Sequence, residues 1–536
     1  NGIQNNGIAS ILTGTRSYYM GEFTMNYTKQ IAKHFISAVA GATNEHFGSN
    51  SFSGTGKGYT LPDLKYDAIG SGTQSLNTIG SGRAETQLIS FLGRVNYSFN
   101  DKYLITASIR ADGSSRFGPN NRYGFFPSAA FAWKVHEEPF MKDIPTLSEL
   151  KLRASYGVIG NQSIGNFLFL PTFGIGGDAI FGGVRNTSIQ PSRNPNPDLK
   201  WESAKQMDIG VDFGLFKNKI RGTIEYYNRT TSDLLLSVPQ PLSSGFGART
   251  ENVGSMRNTG IELTLGGDVI KAGGFTWNLN GNFSTLSNEV ISLGASPQII
   301  YGAAGFISNA AIIQVGKPLA SYYGFIVDGV WQTTDDFSQT QANVRPGDVK
   351  YRDLNGDKVI NDADRTIIGK AFPDFIYGAT SKMTYKGFSF EVFIEGNQGS
   401  SILNQMMVDS YFPVSFRRNK LADVYLNRWT PSNPTNEYPS FVNPTSQGQR
   451  TINSKTVEDA SYLRIQAIRL SYEVPIPKNK FVRSVNIFVT GQNLKTFTKY
   501  KGTDPATNAV GDDILKIDYS TYPLTRTFTG GINVQF

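Results

Sequence analysis

The sequence has no cysteine among its 536 residues and only three histidines, His34, His46 and His136. This excludes disulfides, thiolate chemistry and zinc sites of the Cys/His type. A long apolar run is missing as well: nothing approaches the roughly 18 uninterrupted residues of a transmembrane helix. Any crossing of a membrane therefore falls to strands. No Pro-rich or Gly/Ser-rich linker divides the chain, although a soluble protein of this length would split into domains of roughly 100–200 residues. The opening NGIQNNGIAS has neither the charged n-region nor the apolar h-region of a signal peptide. An exported protein requires one, so further chain is expected upstream. Clustered basic charge is scarce too. The net charge is +8, yet Lys and Arg are spread singly, with no run beyond Arg417-Arg418. That pattern fits a solvated lumen or loop surface and argues against a nucleic-acid stripe.

What is present is alternation of period two. In Lys102–Asp112, Tyr103, Ile105, Ala107, Ile109 and Ala111 fall on one face, with Thr106, Ser108, Arg110 and Asp112 on the other. Ile220, Gly222, Ile224 and Tyr226 likewise oppose Arg221, Thr223, Glu225 and Tyr227. Ile261, Leu263 and Leu265 oppose Glu262 and Thr264, and Phe528, Ile532, Val534 and Phe536 oppose Thr527, Thr529, Asn533 and Gln535. The phase changes near Ala467 within Leu463–Tyr472, the mark of a bulge. About fifteen such strands follow one another, the first predicted near 18–28 and the last near 524–536. Their connections alternate. Lys29–Lys33, Asn100-Asp101, Phe216–Asn218, 267–273, Lys386 and 474–481 are short; 47–85, 160–201, 287–373, 398–460 and 492–523 are long. A soluble sandwich has no reason to sort its loops by parity, whereas an outer-membrane barrel puts short turns in the periplasm and long loops outside. Aromatic residues such as Tyr97, Phe99, Tyr103, Phe125, Phe126 and Trp133 flank the apolar bands, matching interfacial girdles. The fold class expected is all-β, a transmembrane antiparallel up-and-down β-barrel, with 1–536 the C-terminal part of one barrel domain. Counting back from a last strand that ends in the periplasm at Phe536 puts residues 1–17 in an extracellular loop. An odd strand count implies at least one more strand upstream, because a barrel cannot leave an edge open in lipid.

One loop carries a metal-like spacing. Asp353, Asn355, Asp357, the Val359 carbonyl, Asn361 and Asp364 match positions 1, 3, 5, 7, 9 and 12 of an EF-hand calcium loop. Two positions depart from that pattern: Lys358 replaces the turn glycine and Asp364 is shorter than the usual glutamate. Bound Ca2+ would stiffen loop 287–373; the alternative is an Asp/Asn-rich turn that caps itself. The run Gly54-Thr-Gly56-Lys57-Gly58 is not a phosphate loop, since Ser51 and Gly58 stand where that motif needs Gly and Ser/Thr. KLADVYLNRW (420–429), followed by Thr430-Pro431, predicts a short helix. Trp201, Trp331 and Tyr322-Tyr323 could stack on sugars or pack within the loops. The acidic pairs Asp335-Asp336 and Asp512-Asp513 sit in loops with nothing to fix a glycosidase geometry, so no catalytic residue is assigned.

Longer phrases carry a family resemblance. GRVNYSFNDKYLITASIRADGSSRFGPNNRYGFFPSAAFAWKV (93–135), LKLRASYGVIGNQSIG (150–165), LKWESAKQMDIGVDFGLFKNKIRGTIEYYNRTTSDLLL (199–236) and NVGSMRNTGIELTL (252–265) resemble the SusC/RagA family of TonB-dependent transporters. LNGDKVINDADRTIIGKAFPDFIYGATSKMTYKGFSFEVFIEGNQG (354–399), VEDASYLRIQAIRLSYEVP (457–475) and the ending YPLTRTFTGGINVQF do so too. The resemblance implies a barrel of about 22 strands filled by an N-terminal plug, of which roughly seven strands and the plug lie outside this chain. It also implies a SusD-like lipoprotein partner, energy from TonB, import of glycans or peptides, and an outer-membrane location. By analogy Phe536, a terminal aromatic on the lipid face, is the signal read by the barrel-assembly machinery. Two other functions stay open: a passive porin or secretion channel, which an upstream plug and TonB box would exclude, and a surface adhesin, which lipid-facing stripes oppose. The substrate is not legible.

Overall fold

A computed structural model describes residues 6–60, 62–304, 307–340, 344–411, 419–441, 451–476, 481–508, 515–519 and 521–536. Among these, the wall is one sixteen-stranded sheet, fifteen strands paired in succession and a short one, Ser287–Ser292, paired with the start of Ser255–Ala272. The fifteen are β1 (Ile8–Ile31), β2 (His34–Lys57), β3 (Thr78–Phe99), β4 (Tyr103–Ser114), β5 (Tyr123–Lys134), β6 (Leu147–Asn161), β7 (Glu202–Leu215), β8 (Ile220–Ser232), β9 (Ser255–Ala272), β10 (Phe275–Thr285), β11 (Phe375–Tyr385), β12 (Phe388–Gln398), β13 (Tyr462–Val474), β14 (Ser484–Thr498) and β15 (Thr527–Gln535). The chain divides into two compact units, one of Asn1–Trp133, Ser155–Gln206 and Thr231–Val253, the other of Lys134–Ala154, Met207–Thr230 and Gly254–Phe536.

In the first unit β1 to β5 form an antiparallel meander. The turn between β3 and β4 places Asn100 and Asp101 at φ 52° and 54°. Two left-handed residues in succession twist the turn in the hand that the flanking strands need. Pairing aligns Phe91 with Ala111, Val95 with Ala107 and Ile105 with Phe131, so one face is apolar. The other carries Ser90, Arg94, Arg110 and Asp112, with Arg110 Nε 2.6 Å from Asp112 and Ser108 Oγ 2.7 Å from Ser128 Oγ. Two hairpins, Thr172–Phe181 with Val184–Arg193 and Leu235–Pro239 with Ala248–Asn252, rise from the connections. A small cluster of Phe117, Leu199 and Trp201 is buried and packs against Leu88, Phe126, Ile164, Leu168 and Leu235.

In the second unit β9 to β15 pair in succession. Gly273-Gly274 (φ 60° and 79°) turns β9 into β10, and Lys386 with Gly387 (φ 45° and 87°) turns β11 into β12. The bulge expected near Ala467 is there: the register on both neighbours skips Gln466. A second bulge skips Val269 in β9.

The packed core of this unit lies in the long connections and not in the wall. Strands Gln298–Ala304, Ile307–Gln314, Ser321–Phe325 and Arg365–Lys370 form one sheet; Val457–Asp459, Ser401–Asn404 and Ile517–Asp518 form another. Helices Gln405–Tyr411 and Ala422–Leu426 lie in the same stretch. Tyr322, Leu403, Val408, Ile452 and Ile517 are buried together there.

Several wall strands outrun their expected ends. Residues 8–17, expected as loop, belong to β1, and 47–57, 78–85 and 492–498 are also strand. These segments are rich in Gly, Ser and Thr, a loop-like composition. A strand that has left the hydrocarbon layer needs only its ladder hydrogen bonds, because water no longer demands an apolar face.

Candidate functional site

The polar phase of the wall strands converges on a row of linked charges. In the second unit Arg153 Nε lies 3.1 Å from Asp212 Oδ1 and its Nη2 lies 2.5 Å from Glu225, while Lys151 Nζ lies 3.3 Å from Asp212. On β10 Asn278 donates to Asp268 (3.0 Å) and Asn280 donates to Asn278 (2.5 Å), with Asn282 next on the same face. Asp212, Asn278, Asn280 and Asn282 border an open cavity of about 620 Å³ together with Glu149, Arg221 and Thr223. Farther along, the buried Arg464 donates to Asp504 (2.7 Å) and Thr496 (2.9 Å) and lies over the Tyr462 ring. Amides offer donors and acceptors together, so such a face can exchange hydrogen bonds with hydroxyl-rich or amide-rich solutes. None of these residues was singled out from sequence as a site. The signal that could have found them was the polar half of the alternation.

The stretch 353–364 forms a compact turn. Asp353 accepts from the amides of Gly356 (2.6 Å) and Lys358 (2.7 Å), Asp357 from Val359 (2.7 Å), and Asn361 from Ala363 (2.8 Å). The buried Asp364 accepts from the amides of Leu354 and Asn361. Burial tends to raise the Asp353 carboxyl, but the donated amides outweigh it and hold the group below the usual carboxylate range. Lys358 stands at φ 65°. The left-handed turn that glycine supplies in a calcium loop is therefore made without glycine. Each carboxylate has about four acceptor sites, so these hydrogen bonds do not exhaust the oxygens. The fit is incomplete, however: among the described residues no three acidic or histidine side chains converge at metal-binding distance.

The loop aromatics are packing residues. Trp201 donates from Nε1 to the Arg122 carbonyl, with Phe117 tilted against its ring and Phe126 meeting it edge-on. Trp331 is buried against Phe337 with Lys350 over its ring. Tyr322 is fully buried, which pushes its phenol up, and its hydroxyl donates to the Lys516 carbonyl (2.6 Å). Arg365 lies over the ring of Tyr323. The predicted helix at 420–429 is shorter, Ala422–Leu426, and Trp429 beyond it donates to Gln332. Asp335 accepts from the Gln332 amide and Asp336 from the Ser338 amide, both local caps. Asp512-Asp513 and Arg417-Arg418 lie outside the described residues. Lys57 of the rejected phosphate-loop motif ends β2. Phe536 is 79% exposed and follows Phe528, Ile532 and Val534 on the apolar face of β15.

Comparison with known proteins agrees with this architecture. A family model described as TonB dependent receptor-like, beta-barrel matches residues 2–494. TonB-dependent receptor P26 of Formosa agariphila is 32% identical over 99% of this chain and 54% of its own length. TonB-dependent receptor SusC of Bacteroides thetaiotaomicron is 32% identical over 96% of this chain and 49% of its own. The chain thus spans about half the length of the curated relatives it matches. The structure of the RagAB peptide transporter superposes with a TM-score of 0.81 at 25% identity, over 99% of this chain and 56% of that one. The chain belongs to the TonB-dependent receptor β-barrel family, whose members reside in the outer membrane of Gram-negative bacteria.

Proposed function

We propose that this chain is the wall and mouth of a transporter that imports oligosaccharides, with peptides as the second substrate class. TonB supplies the energy and a SusD-like surface lipoprotein is the partner. The observation that carries the reading is the wall's two-faced character: a continuous apolar face opposite one lined by Arg153, Asp212, Glu225, Asn278 and Asn280. Similarity to SusC over 96% of the chain supports the oligosaccharide reading, and superposition on the RagAB peptide transporter supports the peptide one. The deciding experiment purifies the full-length protein from outer membranes, identifies the co-purified lipoprotein and bound ligand, and measures uptake in cells with and without TonB. Uptake that stops without TonB supports active import; uptake that continues unchanged supports a passive channel and overturns the proposal.

We further propose that Phe536 is read by the barrel-assembly machinery, supported by its exposed terminal place on the apolar face. A hard cation such as Ca2+ would be held by Asp353, Asn355, Asp357, the Val359 carbonyl, Asn361 and Asp364 after the carboxylates close inward. Spacing and the left-handed Lys358 support that reading. Calcium should then slow hydrogen exchange across 353–364 in the wild type but not in Asp353→Ala; equal exchange in the two proteins removes the cation from the account.

A further inference from the structure

We propose that the outer face of the wall holds one acyl chain of an anionic glycerophospholipid in a groove at the short-turn rim. The groove lies on the apolar face of β8 to β11, encloses about 470 Å³, and is lined by Phe216, Ile220, Leu265, Val269, Leu279 and Ala379. Its shape follows from three local features. Leu265, Gly281 and Ala379 are paired across β9, β10 and β11, so the row begins with a large side chain and then falls away. The bulge at Val269 bends the end of β9. Gly267 lets the start of β8 come close: a Cβ there would lie 1.9 Å from the Lys219 carbonyl, which accepts the Asp268 amide at 3.0 Å.

The surroundings identify the occupant. Short connections face the periplasm in barrels of this family's kind, so this rim meets the phospholipid leaflet. Phe275, Trp277 and Tyr385 stand on the same apolar face near the turns, where an aromatic belt marks the headgroup level. Gly281 is four residues deeper along β10, about 13 Å of strand, which is acyl-chain depth. No water is available there to fill an apolar recess. Lys219 lines the groove's lip, and Lys217 lies on the turn between β7 and β8. Both are exposed, and among the described residues neither pairs with an acidic side chain. Unpaired cations at headgroup level above an apolar slot are complementary to a phosphate headgroup of net negative charge.

The test is native mass spectrometry of the full-length protein in detergent, with equal phosphatidylglycerol and phosphatidylethanolamine of identical chains. The wild type should retain one phospholipid, favouring phosphatidylglycerol about fivefold, the preference one surface lysine confers. Ala379→Leu fills the slot and should abolish retention of both lipids while heat-modifiable migration stays native. Lys219→Gln should keep the adduct and weaken the headgroup preference. Retention undiminished in Ala379→Leu, or no preference in the wild type, overturns the proposal. Should Ala379→Leu fail to assemble, Lys219→Gln decides alone: a preference it leaves unchanged is equally fatal.

Discussion

Tyr322 is the place where removing a single atom should loosen the mouth without touching the wall. Its side chain is fully buried in the loop core, and its hydroxyl faces three backbone groups from distant parts of the chain. It donates to the Lys516 carbonyl at 2.6 Å, lies 3.1 Å from the Ser401 carbonyl and accepts the Lys516 amide at 3.1 Å. Tyr322→Phe keeps the ring and its packing. The Lys516 carbonyl would retain the Leu403 amide at 3.0 Å, so it is not orphaned. The Lys516 amide loses the partner seen here. A buried donor left unpaired costs about 1–3 kcal/mol. Taking the middle, about 2 kcal/mol raises the open fraction of this loop assembly about 30-fold. Tyr322→Ala adds a cavity and should cost about 3–5 kcal/mol, or roughly 150- to 4,000-fold.

Hydrogen exchange at the amides of Leu403 and Ile517 reports the opening directly, because local unfolding exposes them before the wall melts. Heat-modifiable migration serves as the control that the barrel has assembled. The expected order of exchange rates is wild type, then Tyr322→Phe, then Tyr322→Ala. If Tyr322→Phe exchanged like the wild type while Tyr322→Ala did not, the ring alone would hold the loops and the hydrogen-bond argument would be wrong.

Three further outcomes follow from the same structure. Gly267→Ala should destabilise the wall by about 1–3 kcal/mol, because its Cβ meets backbone at 1.9 Å. Gly281→Ala meets nothing nearer than 3.5 Å and should be silent; equal heat-modifiable midpoints for the two would refute this. The hydrogen bond from Lys455 holds the Glu437 carboxyl below its ordinary 4.5, with Lys455 and Lys501 charges adding to it. A depressed carboxylate stabilises the folded state above its unfolded pKa and loses that contribution as pH falls through the folded value. Protease resistance of the loops should thus fall as pH drops below about 4.5, and Glu437→Gln should flatten the profile. Deleting Phe536 should lower the assembled fraction in outer membranes with no change in the melting of molecules that do assemble.

The wall was readable because lipid imposes a rule on every second residue. Ile105, Ile109 and Phe131 face outward where hydrocarbon requires it, and Arg110 and Ser108 face inward. Turn chemistry supplied the rest, since Asn100-Asp101 and Gly273-Gly274 suit left-handed backbone. Even the Gln466 bulge showed as a slipped phase. The strand ends were not readable: Ile8–Ser17 and Phe47–Lys57 obey only the hydrogen-bond ladder, which leaves no periodic mark in side chains. The loop core was invisible for a different reason. Tyr322 meets Lys516 across 194 residues of sequence, and no local pattern encodes such a partner.

The same residue types therefore have opposite meanings in the two parts of this chain. On the wall, exposed Phe125, Phe528 and Ile532 are in their proper solvent, because the surrounding hydrocarbon removes any drive to hide them. The strands are held by backbone hydrogen bonds that cannot be exchanged for water, so stability there lies in the ladder. In the long connections water returns, and with it the drive to bury Tyr322, Leu403, Val408 and Ile517. A core assembled from segments this far apart can open one contact at a time while the wall keeps its register. The import proposed above would need this division of labour, with a mouth able to rearrange on a scaffold that does not. The physical origin of the difference is the change of solvent along each strand.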